Sequence, residues 1–459
     1  MKILLLVPPS PDHKRIIRNI DCSHEAKADY LWQPNDLMLI SALAKAEDEV
    51  RFVDGTADRM SREEFFTTLG HESWDLFVFC LSSAAWASDF GYFQETRALF
   101  PMTPAYVLGD IFLEKPYQEI ILKEAEGIVI LPHQCDLTAM AAPGEKNRPL
   151  PGVMTQVGQN VLGPPTKPVY SELGSPRHEL FLKPGYIFPF ARHYKYATVT
   201  LMWGCPFSCS YCSDAHFPPV VRTPESVLSE LESLEKLGVK ELFFADKTFG
   251  FPQKNSMPLL EAMAKRFKFS WSCYFHPQHY DPVLLDAMVA AGCHTLIIGV
   301  DSANLDSLSV YKRHVSENKL LGLVRHADKK KVDVCADFII GLAHETLEDV
   351  KLTLDFALSL PLDYASFNIA APLPGSVIRQ EALESGLLTI GSEGFDTLGH
   401  SGVLASAKID SAALLKLRRK AVLKFYLRPS YLWRRLSRLS SLEHLTIQMR
   451  QAVGLFTKS

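Results

Sequence analysis

Between Thr198 and Ala371 the sequence alternates strand-like and helix-like patterns six times, and this rhythm restricts what the chain can fold into. Runs of strand length and composition stand at Thr198–Trp203, Glu241–Ala245, Ser270–Phe275, Thr295–Val300, Val332–Ile340 and Ala365–Ala371. Helical periodicity fills the intervals at Glu225–Leu237, Met257–Phe267, Val283–Ala291, Glu317–Lys330 and Glu348–Leu358, and a sixth helix is expected after Pro374-Gly375. Parallel strands need a crossover of helix length between them, so six such units predict a partial (β/α)6 barrel. Chemistry in that fold gathers at the carboxyl ends of the strands. The first strand ends in Gly204-Cys205-Pro206-Phe207-Ser208-Cys209-Ser210-Tyr211-Cys212. A CxxxCxxC run on one short loop suits three irons of a cubic iron-sulfur cluster, with Cys205, Cys209 and Cys212 as ligands, and leaves the fourth iron open to a small molecule. The bland alternatives are a zinc knuckle, which asks for a second Cys/His pair that Cys273, Cys293 and Cys335 do not supply, and a thioredoxin-like pair, which the third cysteine fits poorly.

At 459 residues the chain is too long for one ordinary core, so two or three domains are expected. Residues 1–140 carry their own strand and helix alternation. Strands are predicted at Ile3–Val7, Glu49–Val53, Leu76–Cys80, Ala105–Leu108 and Gly127–Leu131, and helices at Asn35–Glu47, Ser61–Leu69 and near Phe90–Phe100. This α/β pattern reads as a doubly wound parallel sheet, whose ligands sit beyond the strands' carboxyl ends, here near Pro8-Pro9, Asp54-Gly55, Ser82-Ser83 and Gly109-Asp110. Residues 141–196, with Gly163-Pro164-Pro165, lack periodicity and read as a surface linker, leaving 197–395 for the barrel and 396–459 for a helical segment. That last segment is basic, with twelve Lys/Arg in 406–459 against Asp410 and Glu443, about +10 in a chain whose net charge is −4. Such a tail can cap the acidic remainder of the chain or meet an anionic membrane surface. Its aromatics, including Tyr431 and Trp433, suit either role. An apolar fraction of 47% and a charged fraction of 22% describe a globular protein, and no run has the length of a membrane span. Nine cysteines, an odd number, argue against a disulfide framework and for a reducing cytoplasm.

The CxxxCxxC run, with an aromatic before its last cysteine, resembles the signature of the radical S-adenosylmethionine (radical SAM) enzymes. The resemblance implies a [4Fe–4S] cluster whose fourth iron is chelated by S-adenosylmethionine, and a 5′-deoxyadenosyl radical that abstracts hydrogen from a substrate. Further stretches resemble the same core. Phe243-Phe244-Ala245-Asp246 places Asp246 where the family meets the amino group of S-adenosylmethionine. Gly299-Val300-Asp301-Ser302 is similar to a GxES-like turn, implying a ribose contact from Asp301 and Ser302, although Asp stands for the usual Glu. Phe338-Ile339-Ile340-Gly341-Leu342 resembles the strand whose backbone, at Gly341, approaches the adenine, with Ala343-His344 in place of Pro-Gly. Tyr211 is implied against the adenine. Judged as residues alone, Asp246, Asp301 and Glu345 would serve equally as capping carboxylates, and Tyr211 as packing under the loop.

A doubly wound sheet ahead of such a core resembles the cobalamin-binding radical SAM proteins. That implies a cobalamin-binding-like first domain in which Ser82, Ser83 and Gly109 meet the nucleotide tail. DxHxxG, the motif that supplies a histidine to cobalt elsewhere, is absent. The resemblance implies an enzyme that methylates or rearranges a carbon centre of a natural-product, lipid or tetrapyrrole-like small molecule, served by a reductase or flavodoxin-type electron donor and with no nucleic acid as partner. Two other readings are cobalamin-independent oxidation or cyclisation and a methylthiotransferase, the latter needing a second cluster on Cys22, Cys80 and Cys135.

Overall fold

The computed structural model describes residues 1–18, 28–142, 149–156, 173–389 and 409–458. They form two compact units, one of residues 1–187 apart from 27–29, the other of residues 188–459 with 27–29 and without 390–394. In the first unit the strands β1 (Lys2–Val7), β2 (Glu49–Asp54), β3 (Leu76–Cys80), β4 (Ala105–Leu108) and β5 (Gly127–Val129) alternate with α1 (Asn35–Leu43), α2 (Arg62–Leu69), α3 (Trp86–Leu99) and α4 (Lys115–Ile121). The strands are parallel in the order β2-β1-β3-β4-β5, the doubly wound arrangement expected. Leu4 to Leu6 and all of β3 are buried on both faces of the sheet, so these strands read as unbroken apolar runs instead of alternating ones. The strand order reverses between β1 and β3, and the crevice of this sheet therefore opens between Pro9-Ser10 and Ser82-Ser83.

The stretch expected as a draped linker packs against this unit where it is described. After α5 (Leu137–Ala141), β6 (Val153–Met154) joins β5 as an antiparallel edge. Phe181 of α6 (His178–Phe181) lies 4.4 Å from Phe52 between ring centroids, and the Tyr186 hydroxyl donates to buried Asp54. Single buried side chains make these contacts, so no periodicity in the sequence announces them.

The second unit is built on six parallel strands, each beside its predecessor in the chain: β7 (Tyr196–Val199), β10 (Glu241–Phe244), β11 (Ser270–Phe275), β12 (Cys293–Asp301), β13 (Asp333–Ile340) and β14 (Tyr364–Ile369). The crossovers are α7 (Pro224–Lys236), α8 (Gln253–Arg266), α9 (Pro282–Ala290), the pair α10 (Leu305–Val310) and α11 (Glu317–Lys329), and α12 (Leu347–Ser359), with α13 (Val377–Glu384) following β14. Side chains at spacings of three and four form each buried stripe, as Leu320, Leu323, Val324 and Ala327 do on α11. The first strand stops earlier than its sequence suggests. After Val199 the chain leaves the sheet, and β8 (Met202–Trp203) pairs antiparallel with β9 (Val220–Val221) as a separate ribbon. The cysteine run forms the tip of that ribbon.

Three helices close the chain: α14 (Ser411–Tyr426), α15 (Pro429–Ser437) and α16 (Leu442–Lys458). α14 lies on the outer face of β13 and β14, where Leu414 packs with Ile340 and Ile369. α15 and α16 lie across the amino ends of the strands. Arg435 bonds Asp333 at the start of β13 at 2.8 Å and stacks on the ring of Tyr364 at the start of β14, while Glu443 accepts from the Tyr194 N–H just before β7.

Candidate active site

Short backbone ties to several elements hold the cysteine loop. Gly204 adopts φ 79°, and a Cβ there would stand 2.5 Å from the Pro218 carbonyl oxygen, so only glycine lets the two ribbon strands approach this closely. The Cys205 N–H donates to Phe217 O at 3.0 Å, the Ser210 N–H to Tyr311 O at 2.9 Å, and the Val377 N–H to Ser210 O at 2.8 Å. Ser213 Oγ donates to Pro374 O at 2.8 Å, and the His216 ring bonds Gly375 O at 2.8 Å. The loop is thus pinned to the segment after β12 and to the carboxyl end of β14, on the edge of the sheet where a barrel's chemistry lies.

Cys205, Cys209 and Cys212 stand on this one loop, none of them in a disulfide. Burial pushes the Cys205 and Cys209 thiols above their ordinary range, so a metal that binds them releases their protons. Among the described residues no group of three or more His, Cys, Asp or Glu side chains is arranged around one metal ion. A cubic cluster does not require that convergence, because each thiolate takes a different iron. The donor set of three cysteine thiols outside any disulfide fits such a cluster.

Two residues that sequence patterns did not single out frame Cys209. The Arg313 guanidinium reaches to 4.0 Å from Cys209 Sγ, pairs with Asp301 at 2.6 Å through Nε, and donates to Gly299 O and to the His276 ring. His276 stacks on Phe207 of the loop at 3.8 Å, and burial, with Arg313 beside it, holds its imidazole neutral far below the usual range. On the other side, the Cys212 thiol faces Asp214 Oδ2 at 3.7 Å, and that carboxylate pairs with Lys247 at 3.1 Å. Arg313 lies 104 residues from Cys209 in sequence, so no local signal could have found it.

The remaining expected contacts separate into two groups. Tyr211 and Asp301 come together: the phenol donates to Asp301 Oδ2 at 2.8 Å, and burial, then Asp301, raises the phenol well above its ordinary pKa. Asp301 itself has φ 64°, a left-handed placement that costs of order 1 kcal/mol for a non-glycine residue and that its bonds to Tyr211 and Arg313 hold. Ser302 and Gly341 join through Glu345. One carboxylate oxygen of Glu345 accepts from Ser302 Oγ at 2.7 Å, and the other accepts from the Gly341 and Leu342 N–H groups at 3.0 and 3.1 Å. Gly341 has φ 82°, and a side chain there would press on Leu414 of α14.

Asp246 is placed otherwise. Fully buried, it accepts the N–H groups of Leu201 at 2.8 Å and Met202 at 3.0 Å. It caps the backbone that has left β7, which is why the strand ends at Val199 and the ribbon begins. Burial raises its carboxyl to about 7, against those two bonds.

In the first unit, Ser82 donates through its N–H at 3.1 Å and its hydroxyl at 2.8 Å to Asp89, and Ser83 donates through both groups to Asp110. Gly109 sits where a Cβ would overlap the Leu81 carbonyl oxygen at 1.9 Å. All three shape the carboxyl edge, the two serines through their bonds to Asp89 and Asp110. Arg18, unremarked in the sequence, bridges the crevice: it forms a two-pronged pair with Asp89 at 2.8 and 2.9 Å and donates to Ser10 and Thr56. Cys80 is fully buried in β3 with its thiol donating to Arg18 O, Cys135 is buried, and Cys22 lies outside the described residues. A strand thiol so placed is a poor start for a second cluster.

Residues 199–357, from the end of β7 through α12, match the family described as the Radical SAM superfamily. The chain carries a radical SAM domain. An uncharacterized methyltransferase of Pyrococcus horikoshii is 26% identical over 448 residues, which is 94% of each chain. The anaerobic magnesium-protoporphyrin IX monomethyl ester cyclase of Cereibacter sphaeroides is 25% identical over 369 residues, covering 75% of this chain and 59% of the cyclase. Among solved structures, the radical S-adenosylmethionine methyltransferase TsrM of Kitasatospora setae, with cobalamin and a [4Fe–4S] cluster bound, superposes with a TM-score of 0.64 at 18% identity over 84% of this chain and 78% of that one. At that identity the likeness gives the fold alone: a doubly wound sheet followed in the chain by a partial (β/α)6 barrel.

Proposed function

We propose that this radical SAM enzyme holds its [4Fe–4S] cluster on Cys205, Cys209 and Cys212 and, with cobalamin, methylates or rearranges a carbon centre of a small molecule of the natural-product, lipid or tetrapyrrole type. The observation that carries it is three cysteines, none in a disulfide, on one loop tied to the carboxyl edge of six parallel strands, inside the segment that matches the family. A reduced cluster held by these three cysteines would supply the single electron that reductive cleavage of S-adenosylmethionine requires. The chain's own part is positioning. Arg313 sets a buried positive charge beside Cys209 that offsets the charge of the thiolates, Asp301 fixes both Arg313 and the Tyr211 phenol, and Glu345 holds the Gly341-Leu342 backbone and Ser302 in place. A low-potential protein of the reductase or flavodoxin kind supplies the electron.

Cobalamin is supported by the doubly wound sheet with its switch point between β1 and β3, and by the cobalamin in the TsrM structure. Ser82 and Ser83 are held to Asp89 and Asp110 at that edge, with Gly109 beside them. Anaerobically reconstituted protein should contain a four-iron cluster, and with a reductant should convert S-adenosylmethionine to 5′-deoxyadenosine. Loss of the cluster in Cys205→Ala, Cys209→Ala and Cys212→Ala, with retention in Cys335→Ala on β13, is expected. An unchanged iron content in the triple variant sinks the assignment.

A further inference from the structure

The C-terminal helices sort their side chains by direction. Inward, Arg434, Arg435 and Arg438 meet Asp328, Asp333 and Asp363 at the amino ends of the barrel strands. Outward they are apolar. Half of the large apolar side chains exposed among the described residues, eight of sixteen, lie between Leu423 and Val453. They are Leu432, Trp433 and Leu436 on α15, Leu442, Met449 and Val453 on or beside α16, and Leu423 and Leu427 at the end of α14; Trp433 is 77% exposed and Leu442 81%.

Charge lies alongside. The exposed stripe of α14 runs Lys416, Arg419, Lys420, Leu423, Lys424, Leu427, turning from cationic to apolar as it nears α15. None of its four cations forms an ion pair with a described residue. From Ser411 to Lys458 the sequence holds one acid, Glu443, and it is turned toward His193 and the Tyr194 N–H. The outward surface of these helices is therefore apolar and cationic with no anion of its own. α15 and α16, linked through Arg435 and Gln448, present apolar side chains on two helices. No helix among the described residues is long and apolar enough to cross a membrane, so contact would be one-sided.

We propose that this face seats the enzyme on an anionic phospholipid bilayer. Trp433, Leu432, Leu436 and Leu442 enter the boundary between headgroups and acyl chains, and Lys416, Arg419, Lys420 and Lys424 meet the lipid phosphates. The arginines that balance the barrel's aspartates take no part. The surface is separable from the chemistry, since none of its residues touches the cysteine loop in any bond described above.

Co-sedimentation of the full chain with vesicles tests this, comparing phosphatidylcholine alone with phosphatidylcholine mixed with phosphatidylglycerol. Binding is expected only with the anionic mixture, and it should vanish near 1 M salt, where the screening length is about 3 Å. Lys420→Gln and Lys424→Gln should each weaken partitioning roughly fivefold, and Trp433→Ser with Leu436→Ser should abolish it. Trp433 emission should shift to the blue on binding, identified by its loss in Trp433→Phe. All positions are exposed, so melting temperatures should match the wild type and exclude misfolding as the cause. Wild-type protein that ignores both vesicles, or binds both equally, overturns the proposal. So does a dimer that Trp433→Ser with Leu436→Ser turns into monomer, since the face would then belong to a second copy.

Discussion

Asp246 carries two backbone hydrogen bonds in a place where water does not reach, and its proton affinity reports on both facts. Its carboxyl is held near 7 against an ordinary 3.8. Below about pH 4 the folded and unfolded chains both carry the proton and the fold's extra affinity for it contributes in full; as pH rises toward 7 the unfolded chain ionises first, so this contribution to stability falls and is gone above about 7. Asp246→Asn removes that slope. It also leaves one of the Leu201 and Met202 N–H groups without a carboxylate oxygen, at about 1–3 kcal/mol throughout. Urea midpoints of the metal-free protein between pH 4 and 8 check both effects, and an unchanged slope in the variant would refute the assignment. At the cysteine loop, Asp301→Asn should loosen Arg313 and Tyr211 together. Arg313→Gln removes a positive charge beside Cys209 and should lower the reduction potential of the reconstituted cluster, while Tyr211→Phe, which changes no charge, should leave it in place.

At the scale of elements, the parallel strands were legible because burial on both faces writes them as apolar runs, and the barrel helices because one buried stripe gives each a period. What escaped the sequence depends on partners far along the chain. The ribbon of β8 and β9 exists because Asp246, more than forty residues on, takes the N–H groups of Leu201 and Met202. β6 adds only two residues, too few to carry a pattern of their own, and it pairs antiparallel with β5. The charge of the final segment was plain in the composition, yet which arginines face inward depends on the angle of α15 against Asp333 and Asp363. Arg435 is the test of that angle. Arg435→Met removes a buried partner and leaves Asp333 with Arg438 alone, for which a loss of about 3–5 kcal/mol is expected. Combining it with Asp333→Asn should recover part of that loss. Chemical denaturation of the four proteins in the cycle measures the coupling, and additivity would mean that the pair is solvated and α15 lies elsewhere.

For the molecule as a whole, the proposed radical chemistry is legible in a nine-residue stretch, while the cobalamin proposed for the first unit is legible only in topology. Three thiols on one loop state a chemistry, but a doubly wound sheet states only that ligands meet its carboxyl edge. The structure sharpens that difference, since Ser82 and Ser83 are engaged with Asp89 and Asp110, and Arg18 spans the crevice between β1 and β3. If a corrin binds there, no histidine from a DxHxxG motif is present to reach cobalt. His13, exposed on the loop after β1, does not stand in such a motif, and His24 lies outside the described residues. Full-length protein given hydroxocobalamin should retain an equimolar amount after gel filtration, with a spectrum that lacks a histidine ligand and is unchanged in His13→Ala and His24→Ala. Arg18→Gln should reduce retention if the crevice forms part of the corrin site, and circular dichroism of that variant distinguishes lost binding from a lost fold. Protein that forms the iron-sulfur cluster and cleaves S-adenosylmethionine yet retains no corrin would separate the two halves: the cobalamin reading would fall, and a radical SAM enzyme performing oxidation or cyclisation would stand in its place.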